Sequence, residues 1–298
     1  MPECAARGWS SKLAEPPRGR APKHKGSSVS AVLAFIGGGN MATAIVGGLV
    51  RGGRTGESIL VVDPGEAQRT RLRAEFGVRT IASADATLGA ATTIVWAVKP
   101  QLFQAAAAPC AAHVGSALHL SVMAGIRSDA IARATGAARV VRAMPNTPAL
   151  IGQGITGLFA RDPATADDRA EVEAVLAPTG RTLWVAREED LDAVTALSGS
   201  GPAYVFYFVE AMIEAAVEMG LTEAQGRQLA LATFAGATAL AQASDDPPSL
   251  LRERVTSRGG TTHAALSSLE SSRVKRAFID AMRDAERRAR ELGDEFGR

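Results

Sequence analysis

The chain has 298 residues, and its 33 Lys and Arg nearly balance 31 Asp and Glu, for a formal net charge of +2. This length predicts two domains rather than one small module. The balanced charge argues against a nucleic-acid-binding protein. With 46% apolar and 21% charged residues, the chain can bury sizeable cores, which excludes a protein that is disordered throughout.

Positive charge is concentrated in residues 1–30. This segment holds six basic residues against Glu3 and Glu15, a charge of +4, so residues 31–298 carry −2 and the pI near 8.7 reflects the segment. It lacks the apolar run of a secretory signal, and its acids argue against a transit peptide. We expect residues 1–30 to be a disordered basic tail and the protein to be cytoplasmic. A start codon assigned too early would account for the presence of this tail.

Cysteine content and hydropathy exclude further classes of protein. Cys4 and Cys110 form neither a disulfide framework nor a metal-ligand spacing, which indicates a reducing compartment and no metal site. The longest apolar run, residues 203–209, ends at Glu210 and is far shorter than the ~20 residues of a membrane span. We therefore expect neither a membrane segment nor a nucleic-acid partner.

From residue 31 onward, short β-branched runs alternate with Ala-rich helical stretches, which predicts a parallel sheet covered by helices on both faces. The predicted strands are residues 32–36, 59–63, 93–98, 118–123, 140–144, 155–159 and 182–185. The predicted helices between them include residues 41–51, 101–113, 127–135 and 166–177. Residues 31–187 are therefore predicted to form a doubly wound α/β domain of the Rossmann type.

After about Glu188 the pattern is helical only, which predicts an all-helical second domain over residues 188–298. Residues 204–219 read as a helix that carries Glu on one stripe, and residues 224–243 are almost wholly small and apolar. A helix that is apolar on nearly every side must be buried on nearly every side. We expect a second copy of the chain to cover these helices.

A glycine turn follows the first predicted strand. Residues 37–42 satisfy G-x-G-x-x-A at a strand-to-helix junction. Gly37 suits the tight turn, Gly39 admits a pyrophosphate close to the backbone, and Ala42 lets the helix pack on the strand. The helix N-terminus then favours the phosphate charge. With further βα units behind it, the motif predicts a dinucleotide site; the alternative is a plain glycine-rich turn.

Two later strand ends lie on the same edge of the predicted sheet. Asp63 stands where an acid binds the ribose hydroxyls of NAD and repels the 2′-phosphate of NADP, although Arg69 is close and Asp63 alternatively only caps the next helix. Lys99, in the segment 97–100, is either aimed at the cofactor crevice or merely solvated. Ala124 and Gly125 end the following strand in the same way.

A second glycine cluster occupies residues 255–262, before a predicted helix over 263–270. Its two glycines free the backbone to form an anion nest, and the hydroxyls of Ser257, Thr261 and Thr262 add hydrogen bonds at the helix N-terminus. Such a loop suits a carboxylate, while a simple helix cap is the alternative. A third cluster, residues 197–204, has Pro202 at the first helical position, which is typical of a helix start.

Five segments together resemble the pyrroline-5-carboxylate reductase family, whose members carry out the last step of proline biosynthesis. They are residues 35–42, 97–100, 144–148, 196–204 and 255–262, and the resemblance spans residue 31 to about 293. It implies hydride transfer from NADP(H), with NAD(H) as the alternative cofactor, to the imine carbon of 1-pyrroline-5-carboxylate to give L-proline. It also implies a Rossmann domain and a helical domain that interlocks two subunits, with homodimers assembling into a larger ring such as a decamer.

The resemblance carries residue roles with it. The implied cofactor-binding residues, together with Asp63 from the strand-end argument, are Ile36, Gly37, Gly38, Gly39, Asn40, Met41, Ala97, Val98, Lys99, Pro100, Ala124 and Gly125. The implied substrate-binding residues are Ser257, Gly259, Gly260, Thr261 and Thr262. Thr262 is also the expected catalytic residue, near the ring nitrogen. The resemblance further brings Glu188 or Glu189 towards the substrate.

The chain departs from the family pattern at two places. Arg258 stands where the family usually has Pro, which adds a charge beside the expected carboxylate site. Residues 83–85, Ser-Ala-Asp, replace an Asn that often contacts the adenosine. In addition, Asp63 makes comparable use of NADH conceivable, although members of the family often prefer NADPH.

Two rival functions compete with this interpretation. A reductase of another small oxo or imino acid usually carries a Lys or His proton donor in the helical half, where the first Lys is Lys275. A non-catalytic NADP(H) sensor would not need the intact loop of residues 257–262. None of His24, His113, His119 and His263 stands in a nucleophile or metal spacing, which favours catalysis by positioning. His263 follows Thr262, but it reads as a solvated first-turn residue rather than a proton shuttle.

Overall fold

The computed structural model describes residues 32–296, so the expected disorder of residues 1–30 lies outside the described residues. An eight-stranded sheet forms the first half, with order β3-β2-β1-β4-β5-β6-β7-β8. Its strands are β1 Val32–Ile36, β2 Ile59–Val62, β3 Arg79–Ile81, β4 Ala91–Trp96, β5 Leu118–Ser121, β6 Val140–Met144, β7 Gly154–Ala160 and β8 Gly180–Trp184. The doubly wound fold predicted from the alternating pattern is confirmed.

All neighbouring strands are parallel except β6 and β7, which pair antiparallel. The strand order reverses at β1, which lies between β2 and β4 although it comes first in the chain. In open α/β sheets, ligands bind at the carboxyl ends of the strands beside such a reversal. The fold therefore points to the segment after β1 as the binding position.

Helices cover both faces of the sheet and create two separate cores. Those of the first half are α1 Asn40–Arg51, α2 Glu66–Phe76, α3 Phe103–Ala107, α4 Ala111–Val114, α5 Ser128–Thr135 and α6 Ala166–Leu176. Successive residues of β1 alternate between the cores: Leu33 and Phe35 pack with α1, while Ala34 and Ile36 pack on the side of α3 and α5. Burial on both faces explains why this strand is apolar throughout.

Some predictions in this half are wrong in detail. The sheet is not wholly parallel, because β6 and β7 run antiparallel, and the strands expected over 93–98 and 118–123 are Ala91–Trp96 and Leu118–Ser121. The helix expected over residues 101–113 is broken into α3 and α4 by a turn that contains Pro109, because proline lacks the N–H that would continue the ladder of hydrogen bonds. The strand β3 was not expected at all. It has three residues and lies at the sheet edge, too short for a period-two pattern to be recognised.

The second half is helical, as predicted. Its helices are α7 Asp190–Val194, α8 Gly201–Glu218, α9 Glu223–Gln242, α10 Pro248–Arg254, α11 Thr261–Ser271 and α12 Val274–Phe296. In the single chain, α8 and α9 leave large apolar side chains in water, among them Phe206 at 59% and Tyr207 at 68% exposure. None of the helices within residues 32–296 is long and apolar enough to span a membrane.

Buried ion pairs join the two halves. The Glu188 carboxylate accepts from Arg142 Nη1 at 2.8 Å and from both the backbone N–H and the hydroxyl of Ser128 at 2.6 Å. Next to it, Arg127 Nη2 donates to Asp192 at 2.7 Å. Glu188 and Asp192 lie around the start of the helical half, so this network fixes the end of the sheet domain to the helices that follow.

His119, on β5, is fully buried in the second core. Its Nδ1 accepts from Trp96 Nε1 and its Nε2 donates to the Val114 carbonyl, both at 3.0 Å, so the neutral ring is satisfied. Desolvation by burial lowers the pKa of His119 below its ordinary value of 6.5.

We therefore expect the unfolding free energy to fall as the pH drops below about 6.5, because the unfolded chain binds a proton that folded His119 refuses. The contribution is complete above this pH and declines by up to about 1.4 kcal/mol per pH unit below it. Urea unfolding of wild type and His119→Asn between pH 5 and 7.5 measures the difference in slope. A variant with the slope of the wild type would contradict this role, and His263→Asn, at an exposed histidine, is the control.

Candidate functional site

The turn after β1 is built around a glycine that tolerates no side chain. Gly37 has φ +97°, and a Cβ there would lie 2.8 Å from the Ala97 carbonyl oxygen. Its N–H donates to the Val62 carbonyl at 2.8 Å. The turn is thereby held between the ends of β2 and β4, at the reversal of strand order.

The N-terminus of α1 is open to a ligand. Gly39 is the capping residue; its side-chain position has no atom within 4 Å, and no side chain in the described part of the chain caps the helix. The first backbone N–H groups of a helix have no partner within it. An anion over Gly39 would therefore meet free N–H donors and the positive end of the helix dipole.

Asp63, directly after β2, braces this turn. One carboxylate oxygen accepts from the Gly38 N–H and the other from the Gly65 N–H, both at 2.8 Å. Arg69 Nη1 donates to the carbonyls of Asp63 and Pro64, also at 2.8 Å. Asp63 therefore joins the glycine turn to the segment before α2, whose capping residue is Gly65 and not Asp63. The contact of Asp63 with a ribose stays a prediction.

A cavity of about 490 Å³ lies over the turn. The predicted cofactor residues that line it are Ile36, Gly37, Gly39, Asp63, Ala97, Val98 and Lys99. The sequence did not predict one wall, which is formed by Leu102, Ala105, Ala106, Pro109 and Cys110. Only the place of these residues in the chain could have indicated this wall, because the segment that follows a parallel strand borders the cofactor crevice.

The remaining predicted cofactor residues lie outside the cavity lining. Gly38 is turned to Asp63, and Asn40 and Met41 form the first turn of α1. Pro100 opens the short helical turn after Lys99. Gly125 has φ +75° and packs against α12, where a Cβ would meet the Leu292 backbone at 3.4 Å. Ala124, directly before it, does not line the cavity either.

Cys110 lines this cavity, but its thiol is not a reactive group. Its thiol donates to the Ala106 carbonyl at 3.1 Å, and burial raises the pKa of Cys110 to about 11. The thiolate is therefore scarce at neutral pH. Within residues 32–296, no group of three His, Cys, Asp or Glu side chains could hold a metal ion.

The predicted substrate loop is a tight turn that leads into α11. Gly259 has φ +74°, the Gly260 N–H donates to the Ser257 carbonyl at 3.0 Å, and a Cβ on Gly260 would collide with the Ser257 hydroxyl at 2.5 Å. Gly260 begins α11 without a side-chain cap from any described residue, so the N–H groups of Thr261 and Thr262 lack helical partners. The left-handed backbone favours glycine at position 259, the closeness of Ser257 favours it at position 260, and the turn presents N–H donors.

One chain does not bring this loop to the dinucleotide cavity. None of residues 255–262 lines the cavity over the glycine turn, and Thr256 lines instead a separate cavity of about 380 Å³ between α10 and α11. Glu188 is committed to Arg142 and Ser128, whereas Glu189 is exposed. Within one chain, the predicted substrate loop and the predicted cofactor cavity are therefore separate.

Two further motif segments do come together. Gly199 lies against Met144, whose Cε would be 2.6 Å from a Cβ at that glycine. A widened turn, in which the Ser200 N–H donates to the Thr195 carbonyl at 2.9 Å, precedes α8. The third glycine cluster thus permits close approach of the last residue of β6, in addition to preceding a helix.

Comparisons with known proteins agree with both halves. The family model for pyrroline-5-carboxylate reductase dimerisation matches residues 188–292, and that for NADP oxidoreductase, coenzyme F420-dependent, matches residues 32–125. A pyrroline-5-carboxylate reductase from Pseudomonas aeruginosa is 38% identical over 267 residues, which cover 89% of this chain and 98% of that protein.

Solved structures agree as well. A pyrroline-5-carboxylate reductase from Coxiella burnetii superposes with a TM-score of 0.81 at 36% identity, covering 88% of this chain and 98% of that one. The pyrroline carboxylate reductase from Plasmodium falciparum, solved with NADP bound, gives a TM-score of 0.79 at 28% identity with the same coverage.

The sheet order, the glycine turn and the helical second half define a dinucleotide-dependent oxidoreductase with a Rossmann domain followed by a dimerisation domain. Within that class, identity and coverage are high enough to decide the family. The chain belongs to the pyrroline-5-carboxylate reductase family.

Proposed function

We propose that the protein reduces 1-pyrroline-5-carboxylate to L-proline with NADP(H), with NAD(H) as a second cofactor, in the last step of proline biosynthesis. The observation that carries this proposal is the coverage of the match, since 98% of the Pseudomonas aeruginosa reductase aligns with this chain. The proposal is also supported by the intact turns at residues 37–42 and 257–262, which suit a pyrophosphate and a carboxylate.

The cavity over Gly37 fits a dinucleotide. Gly39 leaves open space where a pyrophosphate would approach, and α1 offers uncapped N–H groups behind it. When bound, NAD(P)H supplies the hydride for reduction of the C=N bond. The residues at the ends of β1 and β4, Ile36, Ala97 and Val98 among them, line this cavity and would hold and orient the cofactor there.

The loop at residues 257–262 holds the substrate. Its backbone N–H groups and the Ser257 and Thr261 hydroxyls bind the carboxylate, and the Thr262 hydroxyl bonds the ring nitrogen. The protonated imine is already an electrophile, and it becomes an amine when hydride adds at its imine carbon. The chain needs no nucleophile for this reaction, and its residues contribute orientation and charge complementarity.

Assembly completes the site in this proposal. The exposed apolar faces of α8 and α9 are covered by a second copy, and the homodimer brings the substrate loop to a dinucleotide cavity. Dimers gather into a larger ring such as a decamer, and the enzyme acts in the cytoplasm. The boundaries of the cooperating domains are residues 31–187 and 188–298.

Absorbance at 340 nm tests the proposed function directly. Oxidation of NADPH or NADH that depends on added pyrroline-5-carboxylate is the expected result. Turnover of a different oxo or imino acid instead would favour the rival reductase, while cofactor binding without turnover would favour the sensor. Either outcome would overturn the proposal.

Thr262→Ala is expected to lower kcat/KM about tenfold, the effect of losing one useful hydrogen bond to the reacting group. Steady-state kinetics with saturating cofactor measure it. Thr256→Ala is the matched control, because the Thr256 hydroxyl donates only to the Arg252 carbonyl at 2.6 Å. A kcat/KM within twofold of wild type for Thr262→Ala would remove Thr262 from the mechanism.

A further inference from the structure

A side chain of α2 reaches the glycine turn after β1. Gly38 is buried, and a Cβ there would lie 2.8 Å from Leu72 Cδ1 and 3.3 Å from Gln68 Cγ, so α2 packs directly on the turn. Gln68 is half-buried, and its Nε2 donates to the Gly38 carbonyl. Gln68 is not among the residues that line the dinucleotide cavity, so it contacts the turn and not the space for a ligand.

Thr43 is the second donor to the Gly38 carbonyl. Its hydroxyl donates to this carbonyl at 3.3 Å and accepts from Gln68 Nε2 at 3.4 Å. Both distances are long for hydrogen bonds, so Gln68 is the main donor to the carbonyl. The N–H of Gly38 is held separately, by the Asp63 carboxylate at 2.8 Å. Gly38 is therefore fixed through both of its backbone polar groups.

The orientation of the Gly38 carbonyl also sets the orientation of the next N–H group. The peptide bond between Gly38 and Gly39 is trans, and in a planar trans peptide the carbonyl oxygen and the amide hydrogen point in opposite directions. A Gly38 carbonyl that is directed at Gln68 thus turns the Gly39 N–H away from α2. Gly39 is exposed, lines the cavity and has open space at the position of a Cβ. The Gly39 N–H is therefore left for a ligand in the cavity.

We propose that Gln68 is a positioning residue for the cofactor, which holds the Gly38 carbonyl towards α2 and thereby presents the Gly39 N–H to the pyrophosphate of NADPH. This inference rests on the proposed function and deepens it, because it assigns a role to a residue that lies outside both the glycine motif and the cavity lining. Without the Gln68 amide, the buried carbonyl keeps only the long bond from Thr43. The peptide is then free to rotate, and the Gly39 N–H loses its fixed direction.

Calorimetric titration of the full-length protein with NADPH tests this role without relying on turnover. Gln68→Met keeps an unbranched side chain of similar length but removes the donor, and we expect its Kd for NADPH to rise at least about fivefold. Gln68→Glu should weaken binding at least as much, because an ionised carboxylate accepts hydrogen bonds and donates none. Gln104→Met is the matched control, because Gln104 is exposed on α3 and lies outside the cavity lining. Its Kd should stay within twofold of wild type.

Steady-state kinetics with pyrroline-5-carboxylate separate the positioning of the cofactor from a general loss of structure. Gln68→Met should raise the KM for NADPH about as much as the Kd, while kcat at saturating NADPH and the KM for the imine stay within twofold of wild type. A Kd of Gln68→Met within twofold of wild type would overturn the inference and leave the proposed function intact. Weaker binding by Gln68→Glu alone would do the same, because it would be an effect of charge. Failure of wild type to bind NADPH or NADH would overturn the proposed function as well.

Discussion

Replacing Glu188 with Ala is expected to lower the unfolding free energy by about 3–5 kcal/mol, the cost of leaving one partner of a buried ion pair alone. Arg142 would keep its charge inside the protein with its main partner gone, and its side chain is only 5% exposed. Burial already lowers the pKa of Arg142, and Glu188 is the largest opposing influence. Arg142 Nε is buried and has no hydrogen-bond partner among the described residues, so the bond from Nη1 to Glu188 is not backed up by a second one from Nε.

Urea unfolding measures this effect, and all variants must be compared at one protomer concentration because assembly adds to apparent stability. Glu189→Ala is the control, since Glu189 is the exposed neighbour and should change stability by less than about 0.5 kcal/mol. Replacing Arg142 and Glu188 together with Met should recover most of the loss. Equal stability of Glu188→Ala and Glu189→Ala would show that the contact between the sheet domain and the helices that follow it does not depend on the ion pair of Glu188 and Arg142.

Replacing Gly37 with Ala is expected to weaken the binding of both dinucleotides at least about a hundredfold, or roughly 2.7 kcal/mol. A Cβ there would lie 2.8 Å from the Ala97 carbonyl oxygen and 2.9 Å from Val98 Cγ1, so the turn must shift. The shift would displace the N–H groups that face a pyrophosphate. Left-handed backbone strain and crowding also predict a stability loss of about 2–4 kcal/mol.

Gly53 provides a close control for backbone conformation. Its φ is +98°, against +97° for Gly37, but a Cβ at Gly53 would have no atom within 4 Å. Gly53→Ala should therefore show the strain alone, about 1–2 kcal/mol of stability, with unchanged cofactor affinity. Titration calorimetry on both variants separates the two effects. Unchanged affinity in Gly37→Ala would contradict a binding role for this turn.

Sequence patterns predicted the central strands of the sheet well because these strands are buried on both faces. The bounds of β1 and β6 agree with the prediction to the residue, and the glycine turn lies where its motif placed it. The break at Pro109 was readable from the chemistry of proline, but the Ala-rich composition around it favoured one continuous helix.

Contacts between residues that are far apart in the sequence could not be predicted from local patterns. Glu188 and Arg142 are 46 positions apart, and nothing in either local pattern indicates their pairing. The same holds for the contact of Gly38 with Asp63, which turns an expected ribose ligand into a brace for the turn as well. The predicted substrate loop shows the opposite limit: its local geometry follows from its glycines, but no local pattern indicates that it lies outside the cavity over the glycine turn.

We propose above that this chain delivers hydride to a cyclic imine bearing a carboxylate. The most direct measurement is mass and NMR analysis of the product formed from pyrroline-5-carboxylate with NADH or NADPH deuterated at both C4 positions. Because the hydride adds to the imine carbon, we expect L-proline that carries one deuterium at C5. Proline without deuterium, or no proline with either cofactor, would contradict it.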